Sequence, residues 1–117
     1  MTGAELIAAA RKVPKVEKVS VPEWGLDVYV RRMTAGERDQ FEGEQTQAKG
    51  SSKYRNFRAR LLVRCVVDDQ GKRLFGDDQV GEVSELDAAG VDRIFDSICR
   101  LNRLMKEDVE DLEKNSA

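Results

Sequence analysis

Two pairs of adjacent carboxylates, Asp68-Asp69 and Asp77-Asp78, are the first residues whose type and spacing fit chemistry. Paired carboxylates exchange protons in acid–base catalysis or hold Ca²⁺ or Mg²⁺. Both pairs sit where a turn or a helix start is expected, and Asp is favoured there for hydrogen bonds to its own backbone. The loop from Asp68 also departs from the EF-hand pattern, with Gln70 and Lys72 where acids belong. Ser51-Ser52 beside Lys53 has the residue types of a serine–lysine pair, but the adjoining Gly50 and the lack of an orienting partner read as a flexible loop. Cys65 and Cys99 lie among apolar neighbours at helical spacing and read as small, reduced, buried hydrophobes. There is no histidine, hence neither the commonest metal ligand nor the commonest neutral-pH base. No glycine-rich phosphate loop follows a strand, and no CxxC occurs. Catalysis, a cofactor and a metal are therefore not expected.

Residues that could bind a macromolecule are more prominent. Lys53, Arg55, Arg58, Arg60 and Arg64 make a basic helix, with Tyr54 and Phe57 on it. A nucleic-acid-binding or regulatory module using helix 53–64 is the alternative this suggests. The aromatics share the apolar face, however, which favours a core role for them and a solvated or partner-facing role for the charges. Trp24 sits at a hairpin tip, where two readings stand: it folds back over the core, or it is exposed as a binding hot spot. Trp24, Tyr29 and Phe41 are the candidate partner-binding residues.

The elements that would position these residues follow from period and punctuation. Thr2-Gly-Ala-Glu5 has the form of a capping box and opens a short helix over 2–12, with Leu6, Ile7 and Ala10 on one side and Pro14 as its stop. Val19 and Val21, then Leu26, Val28 and Val30, alternate with polar residues about a Pro22-Glu-Trp-Gly25 turn. That predicts a β-hairpin over about 16–32 with one apolar face. Thr34-Ala-Gly-Glu37 is a second capping box, opening a polar helix to about Lys49 anchored by Phe41. A third helix, amphipathic, is predicted from Lys53 to Val67, followed by a turn at Asp68–Gly71. Arg73-Leu-Phe75 is placed to pair with Val66-Val67, and Asp77-Asp78 to cap a brief helix reaching Val83. Asp87 caps the strongest helix, with Val91, Ile94, Phe95, Ile98, Leu101 and Met105 in register. It runs to about Glu113 or breaks near Asn102–Met105. The expected core comprises Val28, Val30, Phe57, Leu61, Val91, Ile94, Phe95 and Ile98.

The 117 residues fit one domain, with an ordered core over about 16–113 and a frayed tail at 114–117. The fold class is α+β, one antiparallel β-hairpin packed against a mainly helical layer. Twenty basic and 22 acidic residues leave a net charge of −2, which supplies no whole-protein pull toward nucleic acid or an anionic membrane. No apolar run approaches the ~20 residues that span a bilayer, and the start lacks a signal-peptide pattern.

The order and spacing of several short stretches resemble one family. They are Val21-Pro-Glu-Trp-Gly25, Leu26-Asp-Val-Tyr-Val30, Arg31-Arg-Met-Thr-Ala-Gly-Glu37, Leu62 through Phe75, Asp77-Asp-Gln-Val80, Asp92-Arg-Ile-Phe95, Leu101-Asn102 and Glu107 through Asn115. Over about residues 16–116 the chain resembles the tail assembly chaperones of siphophages. The resemblance implies a non-catalytic protein that keeps the tape measure protein soluble and helps tail tube subunits assemble around it. It implies action in the host cytoplasm and absence from the mature virion. It also implies a longer product made by a one-base backward ribosomal frameshift near the end of the frame, where Glu113-Lys114-Asn115 permits a slippery codon run. The other reading of that tail is an ordinary charged helix end. Self-association through an apolar patch framed by charge is a further expectation.

Overall fold

The computed structural model describes residues 1–47 (side chains as far as 44) and 56–104. Helix α1 spans Gly3–Arg11, strands β1 and β2 span Val16–Val21 and Leu26–Arg31, and α2 spans Ala35–Gln47. Then come α3, Phe57–Cys65, the two-residue strand β3, Val66–Val67, the short helix α4, Val80–Ser84, entered through a 3₁₀ turn, and α5, Ala88–Leu101. The helix continuation to Lys49, the Gly50–Ser52 loop, the helix start at Lys53–Arg55, and everything from Met105 to the tail lie outside the described residues.

The hairpin forms because its alternation gives each strand one face to bury. Val19 pairs with Val28 and Val21 with Leu26, so these share a face, and Val19, Val21 and Val30 are buried. Gly25 closes the turn at φ +66°, a conformation glycine takes without strain. The loop is held by bonds from the Trp24 amide to the Val21 carbonyl (3.0 Å) and from the Gly25 amide to the Pro22 carbonyl (3.2 Å).

A third strand completes an antiparallel sheet of order β1-β2-β3, with Tyr29 opposite Val67 and Val30 opposite Val66. Here the structure corrects the sequence expectation, since the third helix stops at Cys65 rather than Val67. Two arginines from elsewhere take the carbonyls of its last turn. Arg31 donates Nε–H to the Arg64 carbonyl at 2.9 Å, and Arg73 donates to the Val63 carbonyl at 3.0 and 3.1 Å. With those acceptors satisfied, the next two valines extend and join the sheet. Arg73 does pair with Val67, and the Leu74 amide donates to the Val66 carbonyl at 3.2 Å.

The remaining caps follow their residues. Thr34 Oγ1 accepts from the Glu37 amide (3.1 Å) while Glu37 Oε1 accepts from the Thr34 amide (2.9 Å), a complete capping box. Thr2 Oγ1 accepts from the Glu5 amide at 3.1 Å and Asp87 Oδ2 from the Gly90 amide at 3.1 Å. After α5 the chain turns at Asn102 and Arg103, the latter at φ +54°. Asn102 uses its whole side chain there. Nδ2 donates to the Ile98 and Arg31 carbonyls (2.9 and 3.2 Å), and Oδ1 accepts from the Met33 amide at 2.7 Å. The core lies between the apolar sheet face and α3 and α5, around Leu61, Leu62, Ile94 and Ile98. Val28 and Phe95, expected within it, are half-buried and pack at its edge, because each stands at the margin of its apolar face.

Candidate partner-binding groove

The acidic pairs and the cysteines are structural. Asp68 Oδ1 accepts from the Gln70 and Lys72 amides at 2.8 and 2.9 Å, which shapes its turn. Asp77 pairs with Arg73 at 2.7 Å, and that hydrogen bond holds its carboxyl below the usual range. Cys65 is fully buried and Cys99 half-buried, both as free thiols. Burial pushes Cys65 up to about 12 and Cys99 up to about 11, so both stay protonated and weakly nucleophilic at neutral pH. Among the described residues no group of three potential metal ligands converges.

The basic helix directs much of its charge inward. Arg58 pairs with Asp92 at 2.9 Å, and Arg64 pairs with Glu44 while lying 5.6 Å from the Phe41 ring centre. Arg60 is partly desolvated, with Glu44 nearby. Guanidinium groups committed in this way are poorly placed to grip phosphates, which counts against a nucleic-acid interface.

The three residues singled out as contact candidates do not form one surface. Phe41 is 2% exposed, a core residue packed edge-on against Phe57 at 5.5 Å. Its polar helix hides one ring and displays the rest. Trp24 is half-buried against the first turn of α5. A Cβ added at Gly90 would lie 2.2 Å from its Cε2 and 2.4 Å from its Nε1, so the indole rests on bare helix backbone. Tyr29 is half-buried on the sheet face opposite to Val28 and Val30, between Lys18 and Val67.

What the fold offers instead is a groove where α3 starts and α4 and α5 flank it. It is an open trough of about 600 Å³ lined by Phe57, Ala59, Val83, Leu86, Ala88, Val91 and Phe95, with Asn56, Arg58, Ser84 and Asp92 at its polar margin. Phe57, Val83 and Val91 form a buried floor, and Leu86, 44% exposed, stands at the edge. Phe95 packs edge-on against Phe57 at 6.1 Å and carries the Arg58 guanidinium 5.7 Å from its ring centre. The Arg58–Asp92 pair therefore frames an apolar floor with charge. The sequence held a signal for it that went unread. The apolar stripe of α5 is wider than the line from Ile94 to Ile98 that the core uses, and Phe95 is its surplus edge.

A chemically quiet, groove-bearing α+β chain accords with what comparison finds. The family model described as phage tail assembly chaperone matches residues 4–115, nearly the whole chain. No curated protein and no solved structure matches.

Proposed function

The chain belongs to the phage tail assembly chaperone family, and on that premise we propose that it binds the tape measure protein of a siphophage, keeps it soluble, and supports assembly of the tail tube protein around it. The family match over residues 4–115 carries this reading. A tape measure protein is a long helical chain whose apolar seams aggregate when uncovered. The α3–α4–α5 groove suits such a seam, since an amphipathic helix lays its apolar ridge into a trough of this kind and its polar flanks meet the charged rim. Trp24 and Tyr29, half-buried, extend the contact, and Phe41 supports the groove from below through Phe57. The family is one of assembly proteins rather than enzymes, and it acts in the host cell while virions are built. No described helix is long and apolar enough to cross a membrane. The chain works in the cytoplasm, leaves before the virion matures, and is accompanied by a minor frameshifted product whose junction peptide mass spectrometry of infected cells would detect.

Co-expression with the cognate tape measure protein tests the reading. The wild-type chain raises the soluble fraction of that partner, and Leu86→Lys, at an exposed position of the groove edge, lowers the gain while leaving the chaperone folded. An unchanged soluble fraction with wild type would overturn it.

A further inference from the structure

Helix α1 has no covering surface among the described residues. Every residue from Met1 to Lys15 is exposed, and α1 buries none of its side chains. Leu6 and Ile7, adjacent on one side of the helix, are 58% and 53% exposed. A nine-residue helix is shorter than the ~12–15 residues at which isolated helices become even marginal in water. An apolar side on so short a helix needs a surface to rest on.

The chain carries a surface of the matching kind, and charge sorts the fit. Residues 77–96 hold seven carboxylates (Asp77, Asp78, Glu82, Glu85, Asp87, Asp92 and Asp96) against one base, Arg93. Arg93 is already paired with Glu23 at 2.7 Å. Of the acids, Glu82, Glu85 and Asp87 lie on and just after α4, interleaved with the groove residues Val83, Leu86 and Ala88, and all three are exposed. The stretch from Leu6 to Lys15 is the reverse, with Arg11, Lys12 and Lys15 and no acid.

We propose that α1 of one copy seats its Leu6–Ile7 side in the α3–α4–α5 groove of a second copy, with Arg11, Lys12 and Lys15 over the acidic flank at Glu82, Glu85 and Asp87. Helix and groove are different patches, so the contact is heterologous. Each bound pair leaves one free helix and one free groove, and growth continues until a ring closes or a filament extends. The free protein thereby covers its own groove. This inference concerns the chain alone, so it stands or falls independently of the tape measure reading.

Light scattering on the full-length chain, across concentration and at low and high salt, tests it with two variants. Leu6→Glu/Ile7→Glu spoils the helix, and Leu86→Lys/Ala88→Lys spoils the groove, all at exposed positions, with circular dichroism and Trp24 emission reporting that each still folds. The wild-type mass rises with concentration and falls with salt, and each variant alone stays monomeric. An equimolar mixture of the two forms one-to-one dimers and nothing larger, because a single intact helix–groove pair remains. A wild type that is monomeric throughout, including by α1 closing on its own groove, overturns the proposal. So does association by the helix variant alone, or a mixture that stays monomeric.

Discussion

Replacing Gly90 with alanine is the sharpest probe of how the hairpin meets α5. Inside a helix this change ordinarily stabilises by up to about 1 kcal/mol, because alanine restricts the unfolded chain and favours the helix. At Gly90 the added Cβ would fall 2.2–2.5 Å from three atoms of the Trp24 indole. Carbon atoms rest at ~3.5–4.0 Å, so the ring must retreat by roughly 1 Å or more. Overpacking of this sort costs about 1–3 kcal/mol. Trp24 is half-buried and has an outward path, which places the net loss at about 1–2 kcal/mol. For a domain of this size the melting temperature falls by roughly 3–6 °C per kcal/mol. Trp24 is the only tryptophan, so its emission reports the displacement directly and shifts to the red. In a Trp24→Ala background the same Gly90→Ala change becomes neutral or stabilising, and the double-mutant cycle isolates the contact. A Gly90→Ala protein as stable as wild type, with unchanged emission, would refute the packing described for the indole.

Asn102→Ala removes the bonds to the Met33 amide and to the Arg31 and Ile98 carbonyls, and is expected to cost about 2–3 kcal/mol, read as a lowered urea midpoint with unchanged slope. The bidentate Arg31 hydrogen bond holds the Glu37 carboxyl down to about 2 from 4.5. A carboxyl lowered on folding contributes stability that is complete above its unfolded value and is lost as pH falls through the folded one. Glu23 and Asp77 are lowered too, through Arg93 and Arg73, so acid destabilisation should run from about pH 4.5 down to about pH 2, and Glu37→Gln should flatten it. Thiol labelling of the native protein at neutral pH should be slow at both cysteines, with half-buried Cys99 reacting before Cys65; rapid modification of both would contradict their burial.

The hairpin was legible because two runs of alternating valines flank a Pro–Gly turn, and local chemistry decides such a unit. The caps at Thr2, Thr34 and Asp87 were legible for the same reason. Strand β3 was hidden because Val66 and Val67 continue the helical period of α3. Only the arrival of Arg31 and Arg73 from distant positions ends that helix, and no local pattern announces it. Choosing Phe41 as a contact residue rested on its polar surroundings, yet a polar helix needs only one ring to dock it. The groove depends on how α3, α4 and α5 are set relative to one another, which spacing along any one helix does not encode. In the same way, the half-exposure of Phe95 reflects where the sheet ends rather than where the residue falls in its heptad.

The sheet has two margins, and both are defended. One is only two residues long and is occupied on its outer side by the Val67–Arg73 bridge. The other, β1, presents Lys18, 60% exposed at its side chain, and is followed directly by Pro22, which lacks a donor. An open strand margin is a template on which extended chains polymerise. A protein whose work is to attend an aggregation-prone client meets, at close range, the segments best able to exploit such a template. Short, charged and proline-terminated margins let it engage that client through side chains in a trough without being recruited, strand upon strand, into the precipitate it exists to prevent.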